Sequence, residues 1–481
     1  MGRFWCNDMR VNVVVMLVSL ALQCSAFASE PILYRSTRER EFREVMGALP
    51  SLLTGSGARV IDLDMAMPRQ TYLGLGVSFP ESSCHILMGL PAAERRAVLE
   101  KVFGKTGLGL SVGRIHCGSS DYSRHFYTYD DVPGDVGLEN FSIKDDEPEV
   151  IPVIKEAMRI NPDILFFSST WSPPGWMKDN GSICGGHLLD GMIPAYADYL
   201  VKFFEAYQKM GIKIDAFTVQ NEPQDEQAHN SPTCLVSAEQ EMAIIREISP
   251  KLAAAGLTTK AWLYDHNFTG TNRVLTCLAD EMARPRVGAV AWHPYRGQPE
   301  MIRSIVTQYP DVPMHVTEMG PHIDRMRRDV LWWGDLVLRC FNVGCSSFSS
   351  WCLALDEDGQ PNVTRGFPCA GFVEINSETH EVTESEQFRF FRHVSPFVKR
   401  GAKVLDAPLV EGMAAAVKRP TGLDTLVYTA FRNPDGSCIV VLVCHDDDKF
   451  GRFQLQFKHR GLYLPVQVFS DSVTTVVFPA Q

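Results

Sequence analysis

Two short runs carry the residues best suited to chemistry. "FTVQNEPQ", Phe217 to Gln224, sets Gln220, Asn221 and Glu222 directly after an apolar stretch, and Pro223 bars a central strand from continuing. "PMHVTEMG", Pro313 to Gly320, puts Glu318 behind Met314–Val316 in the same way. A single acid at a strand exit is usually a solvated loop residue. Two that face each other can break a glycosidic bond: one gives its proton to the leaving oxygen, and the other attacks or stabilises the anomeric carbon. A gap of about 5–5.5 Å between them suits retention through a covalent intermediate, whereas about 6.5–9.5 Å leaves room for an inverting water.

The neighbours divide the roles. Asn221, next to Glu222, is placed to donate to a sugar hydroxyl. Arg114 is a cation that favours an ionised Glu318, as a nucleophile requires. Glu222 has no cation close to it in sequence, which suits an acid of raised pKa. Trp171, Tyr295 and Trp351 fall at strand exits and offer a floor on which a sugar ring can stack. His116, His266, His293 and His315 show no H-E-x-x-H or similar spacing, and no C-x-x-C pair occurs, so neither a metal nor another cofactor is expected.

These residues need a scaffold that brings distant segments together. From about Gln70, β-rich runs alternate with helical ones: "TYLGLGVSF" (Thr71–Phe79), "LGLSVGRIH" (Leu108–His116), "ILFFSSTW" (Ile164–Trp171) and "IDAFTVQNE" (Ile214–Glu222). "KAWLYDH" (Lys260–His266), "GAVAWHPY" (Gly288–Tyr295), "PMHVTEMG" and "CSSFSSWCLAL" (Cys345–Leu355) complete eight. Between them, Tyr196, Leu200, Phe203, Phe204 and Tyr207 recur at helical spacing. Ser237 and Gln240 stand in capping-box positions, and Val330, Leu331, Leu336 and Leu338 mark a further helix. Eight βα units predict a (β/α)8 TIM barrel, with an open doubly wound sheet as the alternative, disfavoured by the lack of a glycine-rich phosphate turn. Barrel sites lie at the C-terminal strand ends. Those ends carry Arg114 and His116, Trp171, Asn221 and Glu222, Asp265 and His266, His293 and Tyr295, Glu318, and Trp351 in turn. Strands four and seven lie across the barrel, so Glu222 and Glu318 can converge although far apart in the chain.

Beyond about Gly401 the helices stop. "TLVYTAF" and "SCIVVLVC" flank the turn Asn433-Pro434-Asp435-Gly436, and "RFQLQF", "LPVQVF" and "TTVVF" follow, an antiparallel sandwich pattern. About 80 residues is small for a whole sandwich, so the segment before the barrel is expected to add strands. The expected division is 1–28, 29–69, 70–400 and 401–481: leader, N-terminal strands, catalytic barrel and C-terminal sandwich. The leader reading rests on Arg3 and Arg10, the apolar run Val11–Leu22 and Ala26-Phe27-Ala28, which predict export with cleavage before Ser29. The run is too short for a membrane span, and no stable membrane insertion is expected. The chain has 481 residues, a net charge of −11 and no basic run, which argues against nucleic acid as a partner. Of its 13 cysteines, those beyond the leader are irregularly spaced; export is compatible with disulfides, whose pairing cannot be read.

"TVQNEPQ" and "HVTEMG", together with "VGRIHCGSSDYS", "STWSPPGWMKDNG" and "AWHPY", resemble glycoside hydrolase family 30, the group that includes the glucosylceramidases, from about Gly74 to the C-terminus. The resemblance implies a retaining β-glycosidase on a (β/α)8 barrel fused to a β-sandwich built from both chain ends. By similarity Glu222 is the acid/base and Glu318 the nucleophile. It further implies Arg114 near the nucleophile, Asp121 on sugar hydroxyls, Trp171 holding the terminal sugar and Asn221 beside the acid/base. His293 and Tyr295 match a pair near the nucleophile, and Trp351 and Asn362 the strand-eight segment. The implied substrate is a carbohydrate or glycolipid. β-Glucosides such as glucosylceramide or β-1,6-glucan come first, with β-xylosidic, β-fucosidic or β-galactosidic compounds as alternatives. A carbohydrate-binding barrel without catalysis is the contrasting class, against which both acids are intact. Cys352 departs from the Asn of the glucosylceramidases and is expected to remove a hydrogen-bonding side chain from the rim.

Overall fold

The structure, a computed structural model, describes residues 30–37, 42–45, 59–225, 230–321, 323, 329–364, 369–411, 426–445 and 452–480. The leader reading at residues 1–28 lies outside them. The chain forms two compact units, one spanning Tyr72–Pro396 and the other drawn from both chain ends, through Thr71 and from Phe397 onward.

The first unit is a closed barrel of eight parallel strands: β1 (Gly74–Ser78), β2 (Val112–Cys117), β3 (Leu165–Thr170), β4 (Ala216–Thr218), β5 (Lys260–Asn267), β6 (Val287–His293), β7 (Met314–Val316) and β8 (Cys345–Cys352). They pair in chain order, and β8 closes on β1 with Ser347 beside Gly74. Closure excludes the open sheet. Gly76 makes the β1–β2 approach possible, since a Cβ there would stand 2.6 Å from the Val112 carbonyl oxygen.

The helices form where their apolar spacing predicts. Ile193–Lys209 buries Tyr196, Leu200, Phe203, Phe204 and Tyr207. Ala238–Ala254 starts in a full capping box: Gln240 N donates to Ser237 Oγ, and Ser237 N to Gln240 Oε1, each at 3.1 Å. Val330–Val343 is capped by Asp329, whose carboxylate accepts from the backbone of Leu331 and Trp332.

β4 and β7 are three residues each, shorter than the runs in the sequence. Past Thr218 the backbone stops pairing in register and ties outward to both neighbours. Asn221 N donates to Thr170 O of β3 at 2.7 Å, and Glu222 N to Asp265 O of β5 at 3.0 Å. The strand therefore ends where its exit residues are pinned.

The second unit holds a seven-stranded sheet, in the order Arg43–Val45, Ile32–Thr37, Ser472–Phe478, Cys438–Cys444, Leu426–Arg432, Lys403–Asp406 and Met67–Thr71. A four-stranded sheet runs Leu409–Glu411, Arg59–Asp62, Arg452–His459 and Leu462–Phe469. N-terminal strands thus enter both sheets. Leu33, Ile61, Val440, Phe457, Val466 and Val476 share one apolar core. The pattern is not purely antiparallel: Arg59–Asp62 runs parallel to Arg452–His459. Strands from opposite chain ends have no hairpin to fix their direction.

The eleven described cysteines form no disulfide with one another, and among them only Cys184 is not buried. The disulfides compatible with export are not formed here; the thiols pack as small apolar side chains. No helix among the described residues is long and apolar enough to cross a membrane.

Candidate active site

Arg114 on β2 is completely buried and donates from all three guanidinium nitrogens. Nε donates to Ser169 Oγ at 3.0 Å, Nη1 to Glu318 Oε2, and Nη2 to Asn221 Oδ1 at 2.7 Å and Asp265 Oδ2 at 2.9 Å. The same group lies 4.7 Å from the Trp171 ring centroid and 5.4 Å from that of Trp351. A buried cation is tolerable when charges and acceptors surround it in this way.

The two glutamates converge. One oxygen of Glu222, a ring nitrogen of His293 and one oxygen of Glu318 all lie within 4.8 Å of one another. Glu318 is held at both oxygens: by Arg114 at Oε2 and by the Tyr295 hydroxyl, 2.8 Å from Oε1. His293 Nδ1 stands 2.9 Å from Glu222 Oε1, and Nε2 stands 3.0 Å from Asp265 Oδ1. His266 Nε2 approaches Glu222 Oε1 to 3.7 Å.

Glu222 is therefore not remote from cations, contrary to the sequence expectation. Burial pushes its carboxyl up, but the hydrogen bond from His293 and the charges of His266 and His293 outweigh burial and hold it below its ordinary value. Burial would lower His293, yet the charges of Glu318 and Asp265 and its two hydrogen bonds push it up to about 10. Asp265 resists its own burial because Arg114, His293 and Thr218 stabilise its charge, and it stays well below the usual carboxylate range. Three hydroxyls serve it: Thr218 at 2.6 Å, Ser169 at 2.7 Å and Thr317 at 2.5 Å.

Three residues here have left-handed backbones: Glu222 at φ 48°, Tyr264 at φ 78° and Asp265 at φ 62°. Non-glycine residues avoid this region unless their surroundings enforce it, and it recurs at functional sites. Here the Glu222–Asp265 backbone hydrogen bond joins two of them directly.

Trp171 and Trp351 stack at 5.2 Å, with His116 against both at 4.4 and 5.1 Å. Burial and the Arg114 charge keep His116 well below its usual value, so it packs as a neutral ring. Asp121 has a buried, unpartnered Oδ1. Burial first, then the charges of Glu318 and Glu222, push it up to about 7. Asn362 is buried in a loop bound to the Asp121 segment, with Val363 N on Ser123 O at 3.2 Å and Thr364 Oγ1 on Asp121 O at 2.9 Å. Cys352 is not on the rim: it is fully buried with Tyr122, Trp171, Trp351 and Cys369, so its side chain bears on packing beneath the site. In the sequence Asp265 and His266 stand out only as strand-end residues, and Ser169, Thr218 and Thr317 do not stand out at all. Their signal was slight: hydroxyls on buried strands, and an acid at an exit like several others.

Residues 72–398 match the glycosyl hydrolase family 30 TIM-barrel domain. The endo-1,6-β-D-glucanase of Neurospora crassa is 28% identical over 477 residues, covering 95% of this chain and 96% of the relative. Putative glucosylceramidase 3 of Caenorhabditis elegans is 30% identical over 365 residues, 71% of this chain and 69% of the relative. Among solved structures, an endo-β1,6-glucanase superposes with a TM-score of 0.82 at 26% identity, over 94% of this chain and 99% of that one.

Proposed function

The chain belongs to glycosyl hydrolase family 30 and is a retaining β-glycosidase, and from that premise we propose that Glu318 is its nucleophile, Glu222 its acid/base and β-1,6-glucan its preferred substrate. The observation that carries the reading is the approach of one Glu222 oxygen to one Glu318 oxygen within 4.8 Å, which brings the two carboxylates to one shared site, as a retaining pair requires. Glu318 attacks the anomeric carbon as the bond to the leaving oxygen breaks and Glu222 gives that oxygen a proton. Water, activated by Glu222, then releases the sugar from Glu318. Arg114 and Tyr295, one on each oxygen, fix the attacking carboxylate in direction. Trp171 and Trp351, almost wholly buried, stack on each other and back the site, and the unpartnered Oδ1 of Asp121 is an acceptor for a sugar hydroxyl.

The glucan preference is supported by what stands beside the acid/base, where a leaving group must lie. Ligating-type atoms of Asp225 and His266 come within 4.8 Å of Glu222, and His266 Nδ1 is buried without a partner. Such groups suit the hydroxyls of a departing sugar better than an apolar ceramide. Likeness to the C. elegans protein keeps glucosylceramide as the second reading.

The test is a panel of β-1,6-glucan, gentio-oligosaccharides, glucosylceramide and aryl β-glucosides, xylosides, fucosides and galactosides, with product anomers followed by NMR. The expected result is fastest turnover of β-1,6-linked glucosides with a β-product first. Preferred cleavage of glucosylceramide would move the assignment to the lipid. The leader reading supports export of this activity, and a mature N-terminus at Ser29 is the expected outcome of N-terminal sequencing.

A further inference from the structure

His293 presents both ring nitrogens to carboxylates, Nδ1 to Glu222 and Nε2 to Asp265, at 2.9 and 3.0 Å. A neutral imidazole has one donor and one acceptor, and an ionised carboxylate only accepts. A neutral ring cannot hydrogen-bond two ionised carboxylates at once. In the free enzyme, one additional proton must reside on this three-residue chain.

Asp265 does not hold it. Its two oxygens already receive Arg114, Ser169, Thr218 and Thr317, a set of contacts that includes a buried cation and stabilises the ionised form. Nε2–H therefore points permanently at Asp265. The mobile proton is confined to the gap between His293 Nδ1 and Glu222 Oε1.

We propose that His293 is the proton store of the catalytic acid, an imidazolium beside an ionised Glu222 in the free enzyme, which passes its proton to Glu222 as Glu318 loses charge to the forming glycosyl bond. This rests on the assignment of Glu222 and Glu318 above. The groups facing the ring are Glu222 after β4, Asp265 and His266 on β5, Tyr295 after β6, Glu318 after β7 and, through Asp265, Arg114 on β2. Of these, Glu318 changes charge during the reaction, with Oε2 4.0 Å from Nε2. In the resting site its negative charge is the chief support of the imidazolium against burial. When its oxygen bonds the anomeric carbon, that support ends, while burial still opposes the charged ring.

The protons balance. His293 Nδ1–H breaks as Glu222 O–H forms, and Glu222 O–H breaks as the leaving oxygen gains its hydrogen. The ring is left neutral, donating from Nε2 to Asp265. In the second half, water gives its proton to Glu222, its oxygen bonds the anomeric carbon, and Glu318 departs ionised. The restored charge draws the proton back to Nδ1. On this account Glu222 acts as an acid without a raised resting pKa.

The test uses the full chain with nitrogen-15 histidine, observed by NMR near pH 7, with His293 assigned by its contact to the Tyr295 ring. The free enzyme is compared with enzyme trapped by a 2-deoxy-2-fluoroglucosyl fluoride. Expected are two protonated nitrogens in the free enzyme and one in the trapped form. A neutral His293 in the free enzyme, or an imidazolium unchanged by trapping, overturns the proposal. Absence of any label on Glu318 counts instead against the nucleophile assignment, while the free-enzyme spectrum still decides the store. As a second readout, His293→Gln should lose at least ten-fold more kcat/KM on phenyl β-glucoside than on 2,4-dinitrophenyl β-glucoside, whose leaving group needs little proton. Equal losses would assign His293 a merely structural role.

Discussion

Arg114 and Asp265 form an ion pair, Nη2 to Oδ2 2.9 Å, with neither side chain reaching solvent. The pair joins the two halves of the site. Arg114 continues to Glu318, and Asp265 continues through His293 to Glu222. Cutting it removes one of the two carboxylates that pair with the buried Arg114, and loss of a buried ionic partner is worth about 3–5 kcal/mol in other proteins. Asp265→Ala is expected to lower stability by about that amount in urea unfolding, and activity with it. A loss below about 1 kcal/mol would show that the pair does not hold the barrel mouth together.

Tyr295 donates to Glu318 Oε1 at 2.8 Å and also accepts from Gly320 N at 3.2 Å. Tyr295→Phe removes a hydrogen bond to a charged group, worth about 1.5–3 kcal/mol. Steady-state kinetics should show kcat/KM reduced about 10- to 100-fold, mostly in kcat. Unchanged kcat would mean that Arg114 alone orients the nucleophile.

Asp121 titrates at about 7 in the folded protein, raised by burial and by Glu318 and Glu222. The unfolded carboxyl titrates near 3.9, so between these values the native state binds more protons than the unfolded one. Its contribution to stability is therefore greatest at low pH and is lost as pH rises from about 4 to 7. Unfolding measured at pH 5 and pH 8 should show wild type losing about 1–3 kcal/mol relative to Asp121→Asn. Asp146 is also raised, to about 6, and the subtraction cancels it because both proteins contain it. A wild-type minus variant difference independent of pH would contradict the shift.

Much of this architecture could be read from residue patterns. Barrel strands buried on both faces appear as apolar runs, and exit residues as the polar and aromatic groups that end them, which makes Arg114, Trp171, Glu222, Tyr295, Glu318 and Trp351 legible in the sequence. Asp265 was less legible because its importance lies in its partners. Arg114, Ser169, Thr218, His293 and Thr317 come from five separate segments, and the three hydroxyls resemble ordinary strand residues. The environment of Glu222 misled for the same reason: its imidazole partners, His266 and His293, are neighbours through barrel closure alone. The parallel pairing of Arg59–Asp62 with Arg452–His459 also escaped prediction, since hairpin spacing says nothing of strands from opposite chain ends.

The central claim is that Glu318 attacks the sugar while Glu222 manages the proton. Its most direct test is to inactivate the enzyme with a 2-deoxy-2-fluoro-β-glucosyl fluoride, digest it, and locate the fluoroglucosyl group by mass spectrometry. The account predicts a single label on the peptide bearing Glu318, released by water with restored activity. A label on Glu222 or elsewhere, or turnover to an inverted product with no covalent adduct, would contradict it.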